Sequence, residues 1–178
     1  MTGRVIILTG PPGAGKTTLA ERLVLATPAK VGVHLHSDDF FAYIKKGFIA
    51  PWLKASRTQN EAVTEALCGA IGGYARGGIE VVMDGIVGPW FLDPYRVAMR
   101  AAHVELHYVV LRPSRETAVT RARDREISPL ADYPLNIFEQ LSDLGDLEPH
   151  VLDTEGLNVA ETLARVLRGL NDGLFRLD

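Results

Sequence analysis

The run Gly10-Pro11-Pro12-Gly13-Ala14-Gly15-Lys16-Thr17 constrains this chain more than any other eight residues in it. It matches G-x-x-x-x-G-K-[ST] in full and lies between an apolar, β-branched run, Val5 to Thr9, and a helix-favouring stretch, Thr17 to Leu25. Glycines let the backbone turn tightly and aim consecutive N–H groups at one phosphate. The following helix adds roughly half a positive charge at its amino end. Gly10, Gly13, Ala14, Gly15, Lys16 and Thr17 are therefore expected to bind a nucleotide, with Lys16 on the β- and γ-phosphates and the Thr17 hydroxyl on Mg²⁺.

The rest of the chain supplies the architecture such a loop needs. Short apolar strands are expected at Val31 to His36, Ile79 to Met83, Val104 to Leu111 and around Val151-Leu152. Helices are expected at Asp39 to Lys46, Thr58 to Arg76, Tyr95 to Ala102, Ser114 to Arg125, Leu135 to Leu144 and Val159 to Leu170. Strands alternating with helices imply a central parallel five-stranded sheet with helices on both faces, a three-layer αβα fold of the α/β class. With no repeat, low-complexity tract or linker, residues 1–178 read as one domain.

Composition removes several function classes. One cysteine, Cys68, excludes an internal disulfide framework and fits a reducing compartment. No segment approaches the length needed to cross a bilayer, so a cytoplasmic protein without a membrane partner is expected. Nineteen Lys and Arg against 22 Asp and Glu give a net charge of -3, which disfavours duplex nucleic acid as a partner. The cations are unevenly placed: Arg112, Arg115, Arg121, Arg123 and Arg125 crowd into one short stretch. A guanine-reading N-K-x-D is absent, and Asp153 to Gly156 fits D-x-x-G too near the end of the chain for the strands that should follow.

A kinase is the reading left, and the stretch His34-Leu35-His36-Ser37-Asp38-Asp39-Phe40 supports it. It lies where the second strand ends, facing the phosphate loop. A hydroxyl acceptor needs a carboxylate to orient it and take its proton, which Asp38 or Asp39 can do. The competing role is capping the next helix; both hold if Asp38 is the base and Asp39 the cap. His34 and His36 can share one face of the strand and line the acceptor pocket; no cysteine or further histidine stands nearby to make them a zinc pair. Asp84, just after the third strand, is placed to contact Mg²⁺ through water or to hydrogen-bond the acceptor, or simply to form an Asp-Gly turn.

Together, Gly10 to Thr18 and Asp38-Asp39-Phe40 resemble the small P-loop kinases and phosphotransferases of the P-loop NTPase superfamily. That group includes chloramphenicol phosphotransferase, gluconate and shikimate kinases, the zeta toxins and the kinase domain of polynucleotide kinase. The resemblance implies that Thr18 joins the nucleotide site and that Asp38, first in D-x-[FY], is the general base. It also implies acceptor contacts near Asp84, Gly85 and Trp90, and an adenine loop around Asp153-Thr154-Glu155. Arg121 and Arg125, four apart, match its R-x-x-x-R spacing and would clamp the phosphates from the expected helix Ser114 to Arg125 and a helical lid at about 123–148, whereas Arg112, Arg115 and Arg123 read as a solvated face pairing with Glu116, Asp124 and Glu126. Phe41 stands where the polynucleotide kinase branch often has a basic residue. Arg57 is the cation most suited to hold a carboxylate or phosphate on the acceptor. The expected activity is ATP-dependent transfer of the γ-phosphate to a small-molecule hydroxyl by a monomer or homodimer. The alternatives are a toxin-like or polynucleotide 5′-hydroxyl kinase, and a non-catalytic ATP- or GTP-binding regulatory module.

Overall fold

The structure, a computed structural model, describes residues 3–123 and 136–177. Its strands are β1 (Arg4–Thr9), β2 (Gly32–His36), β3 (Glu80–Asp84), β4 (Glu105–Arg112), β5 (Val151–Asp153) and β6 (Arg176–Leu177). The first five are parallel in the order β2-β3-β1-β4-β5. The sheet has one strand more than expected, because β6 runs antiparallel along Leu106 and His107 of β4. β5 pairs only with Val110 to Arg112, so the first half of that edge is open to a second partner. Two residues are too few to leave an alternating pattern in the sequence.

The helices are α1 (Lys16–Ala26), α2 (Ser37–Ala42), α3 (Arg57–Arg76), α4 (Leu92–Ala101), α5 (Arg115–Arg123), α6 (Asn136–Gln140) and α7 (Val159–Asn171). The expected second helix, 39–46, starts two residues earlier and stops sooner. β2 runs straight into it with no intervening loop. The expected helix over 135–144 is the short α6 followed by turns, and a six-residue 3₁₀ segment, Gly145–His150, leads into β5. α7 begins where expected, because Asn158 and Glu161 form a reciprocal capping box.

Strand parity builds the layers. Side chains alternate across a strand, so Val5 and Ile7 of β1 join one core with α3 and α4, while Ile6 and Leu8 join the other with α1 and α7. β3 follows the same rule: Val81 and Met83 face α3, and Val82 faces α1. Asp84 therefore falls on the α1 side, at the carboxyl end of the sheet. His34 and His36, in register with Val82 and Asp84, fall on that same side. Among the described residues no helix is long and apolar enough to cross a membrane.

Candidate active site

β1 ends in the loop over residues 10–15. The Ala14 N–H donates to the Pro11 carbonyl at 3.1 Å, and Gly13 and Gly15 take φ of +80° and +85°, which glycine alone enters without strain. A Cβ on Gly15 would meet nothing within 4 Å, whereas one on Gly13 would sit 2.0 Å from the Ala118 carbonyl oxygen of α5. The loop thus borders open space on one side and the α5 backbone on the other. Lys16 donates from Nζ to the carbonyls of Gly10 and Pro11, each at 3.0 Å. Thr18 follows in the first turn of α1, half-buried.

Asp84 is the hub. It is fully buried, and its Oδ2 accepts the Thr17 hydroxyl at 2.7 Å. Its Oδ1 accepts His34 Nε2 at 2.6 Å and His36 Nδ1 at 3.1 Å. Burial alone would raise the Asp84 carboxyl, but the hydrogen bonds from His34, His36 and Thr17 outweigh it and hold the group well below the usual carboxylate range. His36 reaches on from Asp84 to Asp38, with Nε2 3.5 Å from Asp38 Oδ2. Asp38 first, then Asp84, raise the imidazole to about 10 against the opposing effect of burial. At neutral pH His36 is therefore an imidazolium that donates to two carboxylates.

Asp38 and Asp39 both stand in the first turn of α2, with His36 at the N-cap and no side-chain cap. The expectation that Asp39 caps this helix is corrected: the helix already begins at Ser37, so Asp39 lies inside it, exposed to solvent. Asp38 is half-buried. It reaches this position because Gly85 lets the end of β3 press against α2; a Cβ there would fall 1.7 Å from Ser37 Oγ and 2.7 Å from Ser37 Cβ.

A cavity of about 330 Å³ opens beside Asp38. Phe41, Trp52, Trp90, Phe91 and Tyr95 form its aromatic walls, with Asn60 and Thr64 of α3 and Ile137 and Gln140 of α6 between them. The Trp90 wall is fixed by the preceding turn. The Val87 N–H donates to Thr9 Oγ1 at 2.9 Å, and the Val87 carbonyl accepts the Tyr108 hydroxyl at 2.7 Å. A Cβ on Gly88 would lie 2.3 Å from the Trp90 ring, so the indole packs directly on that backbone.

The arginines disperse. Arg57 is 84% exposed, pairs with Glu61 at 2.9 Å and does not line the cavity. Arg121 is exposed on α5, and Arg125 lies outside the described residues. Arg112 does not pair along the α5 surface. As the last residue of β4 it reaches the turn after α6, forks onto Glu148 at 2.8 Å through each nitrogen and caps the carbonyls of Leu141 and Ser142. Glu155, expected near the adenine, accepts from the Ser114 N–H at 2.7 Å and the Thr117 hydroxyl at 2.8 Å, so the loop after β5 caps α5.

Among the described residues no group of three or more His, Cys, Asp and Glu is arranged to hold a metal ion alone. Thr17 and Asp84 offer two adjacent hard oxygen donors, which suits Mg²⁺, an ion that usually takes one or two protein ligands beside substrate phosphates and water.

A family model described as an AAA domain matches residues 5–142. The chain belongs to that family. Its fold is similar to that of a sugar kinase from Janibacter sp. HTCC2649, with a TM-score of 0.67, 20% identity and 95% of each chain covered. It is also similar to the APS kinase of Mycobacterium tuberculosis solved with AMPPNP and APS, with a TM-score of 0.69, 17% identity and coverage of 96% of this chain and 98% of that one. A gluconokinase from Sinorhizobium meliloti 1021 matches with a TM-score of 0.60, 19% identity and coverage of 96% and 93%. No curated protein sequence matches this one. At these identities the likeness is one of fold: the resemblance first seen in Gly10 to Thr18 and Asp38 to Phe40 extends to the whole three-layer P-loop kinase architecture.

Three parts of the site have no counterpart in the sequence reading. The Thr9–Val87–Tyr108 clamp joins residues far apart in the chain, so no local pattern announces it. His36 was assigned only to the pocket lining, yet it links Asp38 to Asp84. Asn60 did carry a signal: it opens a core-facing stripe that continues through Val63, Thr64, Leu67, Cys68 and Ile71, and only Thr64 shares its polarity there.

Proposed function

We propose that the chain is an ATP-dependent phosphotransferase that moves the γ-phosphate to a hydroxyl of a small molecule bound in the cavity beside Asp38. The observation that carries this reading is the placement of that carboxylate. Asp38 lines a cavity able to hold a small acceptor and is joined through His36 to Asp84 and Thr17 at the foot of the phosphate loop.

In this reading the N–H groups of residues 13–18 and Lys16 hold the triphosphate. Thr17 and Asp84 would hold Mg²⁺, which supplies charge neutralisation across the β- and γ-phosphates. Asp38 accepts the proton of the acceptor hydroxyl while its oxygen bonds the γ-phosphorus. The bond from that phosphorus to the β–γ bridging oxygen breaks, leaving ADP and a phosphate ester. His36 fixes the Asp38 carboxylate toward the phosphate loop. Arg121, on α5, and Arg125, in a lid at about 123–148, would close on the transferring group and exclude water. The same reading makes the whole chain one kinase domain acting in the cytoplasm on a small molecule and not on nucleic acid.

The test is Asp38→Asn, assayed for ATP binding and for transfer to a confirmed acceptor. Binding should persist while transfer falls by about 10²–10⁴-fold. Transfer at the parent rate would remove Asp38 from the mechanism. Tight ATP binding by the parent with no hydroxyl acceptor phosphorylated would favour a regulatory module, which has no need of Asp38.

A further inference from the structure

The cavity beside Asp38 is rich in rings, and among the described residues no lysine, arginine or histidine lines it. Its one carboxylate is Asp38; its other polar side chains are hydroxyls, amides and indole N–H groups. One of them has a polar atom left over. Asn60 is 6% exposed and lines the cavity. Its Nδ2 donates to the Pro51 carbonyl at 2.7 Å and to Ser56 Oγ at 3.0 Å. Since the Pro51 carbonyl can only accept, it identifies which end of the amide is the nitrogen. Oδ1, the other end, is buried and has no hydrogen-bond partner. A buried carbonyl in that state carries a desolvation cost that an incoming O–H or N–H would remove.

We propose that the acceptor is an uncharged, amphipathic alcohol with at least two donor groups. Its apolar or aromatic body packs between Trp52, Trp90 and Tyr95, one hydroxyl meets Asp38, and a second O–H or N–H is held by Asn60 Oδ1. A carboxylate or phosphate on the acceptor would have to lie among these rings, near Asp38, with no cation among the described lining residues to pair it. Unpaired buried charge is the most costly occupant such a space could have. Arg57, the cation expected to serve an anionic acceptor, is held at the surface by Glu61. This inference relies on the phosphotransferase reading for the fate of the first hydroxyl, but its recognition half can be measured by binding alone.

Both tryptophans of the chain, Trp52 and Trp90, line the cavity, so intrinsic fluorescence reports its occupancy directly. Three probes share one skeleton: a phenylpropanediol, the corresponding phenylpropanol with a single hydroxyl, and phenyllactate, in which the terminal CH₂OH is a carboxylate. The diol should bind about fivefold more tightly than the mono-alcohol, the worth of one neutral hydrogen bond. It should bind at least about tenfold more tightly than phenyllactate. In Asn60→Ala the affinities of diol and mono-alcohol should converge; should that variant fail to fold, the three-probe comparison on the parent protein still decides. Phenyllactate binding as tightly as the diol overturns the proposal. So does equal affinity for diol and mono-alcohol, or no fluorescence response to the diol. Transfer from ATP is assayed separately on the same probes: a diol that binds with this selectivity yet is never phosphorylated would sink the phosphotransferase reading and leave the recognition in place.

Discussion

The contact between Gly85 and Ser37 gives the sharpest handle on the site, because it places the candidate base without touching nucleotide or acceptor. In Gly85→Ala the new methyl would lie 1.7 Å from Ser37 Oγ and 2.7 Å from Ser37 Cβ. Rotating the hydroxyl away relieves the first clash but not the second. Ordinary contact begins near 3.4 Å, so the backbones must separate by at least 3.4 − 2.7 = 0.7 Å. Ser37 is the first residue of α2 and Asp38 the second, so the carboxylate moves with it. A displacement approaching 1 Å at a reacting group costs on the order of 10–10² in rate, while overpacking of this kind lowers stability by about 1–3 kcal/mol. The expected result is a fall of that size in the transfer rate, with nucleotide affinity close to the parent's. Adding Ser37→Gly removes both clashing atoms and leaves only the Ser37 Cα, at 3.8 Å, so the double variant should recover part of the lost rate, the remainder reflecting alanine held at φ +159°. Steady-state transfer assays at saturating ATP, paired with nucleotide titrations, measure both quantities. Unchanged turnover in the single variant, or equal losses in the single and double variants, would refute the idea that this contact sets the position of Asp38.

Three further outcomes are expected. Tyr108→Phe strands the buried Val87 carbonyl, which should cost about 1–3 kcal/mol and lower the Tm by several degrees at about 2–4 °C per kcal/mol. It should also weaken acceptor more than nucleotide binding, and a Tm within a degree of the parent's would show that the clamp contributes nothing. The Arg112 guanidinium and the Leu144 N–H hold the Glu148 carboxyl at about 2, below its usual value near 4.5. Its folded value is the lower one, so the stability it contributes is complete above pH 4.5 and is lost as pH falls through about 2; acid unfolding of Glu148→Gln should lack that component, and superimposable acid curves would count against it. Burial pushes the Cys68 thiol up to about 11, so at about pH 8 roughly one thiol in a thousand is ionised. A thiol reagent should leave it unmodified until denaturant is added, and rapid labelling of the native protein would contradict the burial.

Much of this was legible in the sequence, for physical reasons that differ from element to element. The phosphate loop announces itself because its chemistry is local: glycines, a lysine and a threonine act within eight consecutive residues. The central strands β1, β3 and β4 show because buried strands are largely apolar runs. Asp38 and Asp84 stand out for a related reason, since sheet ends are where a carboxylate can face a ligand. Arg112 was misassigned because its position in the chain suggests a helix neighbour, whereas its side chain answers to Glu148, 36 residues further on. Arg57 sits in a stretch of cations and aromatics that suggested an anion site, yet Glu61, one helical turn away, holds it outside the cavity. That no cation stands among the described residues of the cavity lining was not readable at all, because it depends on which side chains the fold leaves out.

The short strand β6 has a consequence for the chain before residues 174–177 are made. Until residues 174–177 dock, the first half of β4 offers unpaired N–H and C=O groups along one edge, and Tyr108 lacks the Phe175 carbonyl that its own N–H meets at 2.8 Å. Such an edge is a template for pairing with another chain. During synthesis the phosphate loop can therefore form early, while the sheet beside it stays open to self-association until residues 174–177 arrive. A substitution that unpairs β6 would act on that same edge, and through Tyr108 on the wall of the cavity beside Asp38.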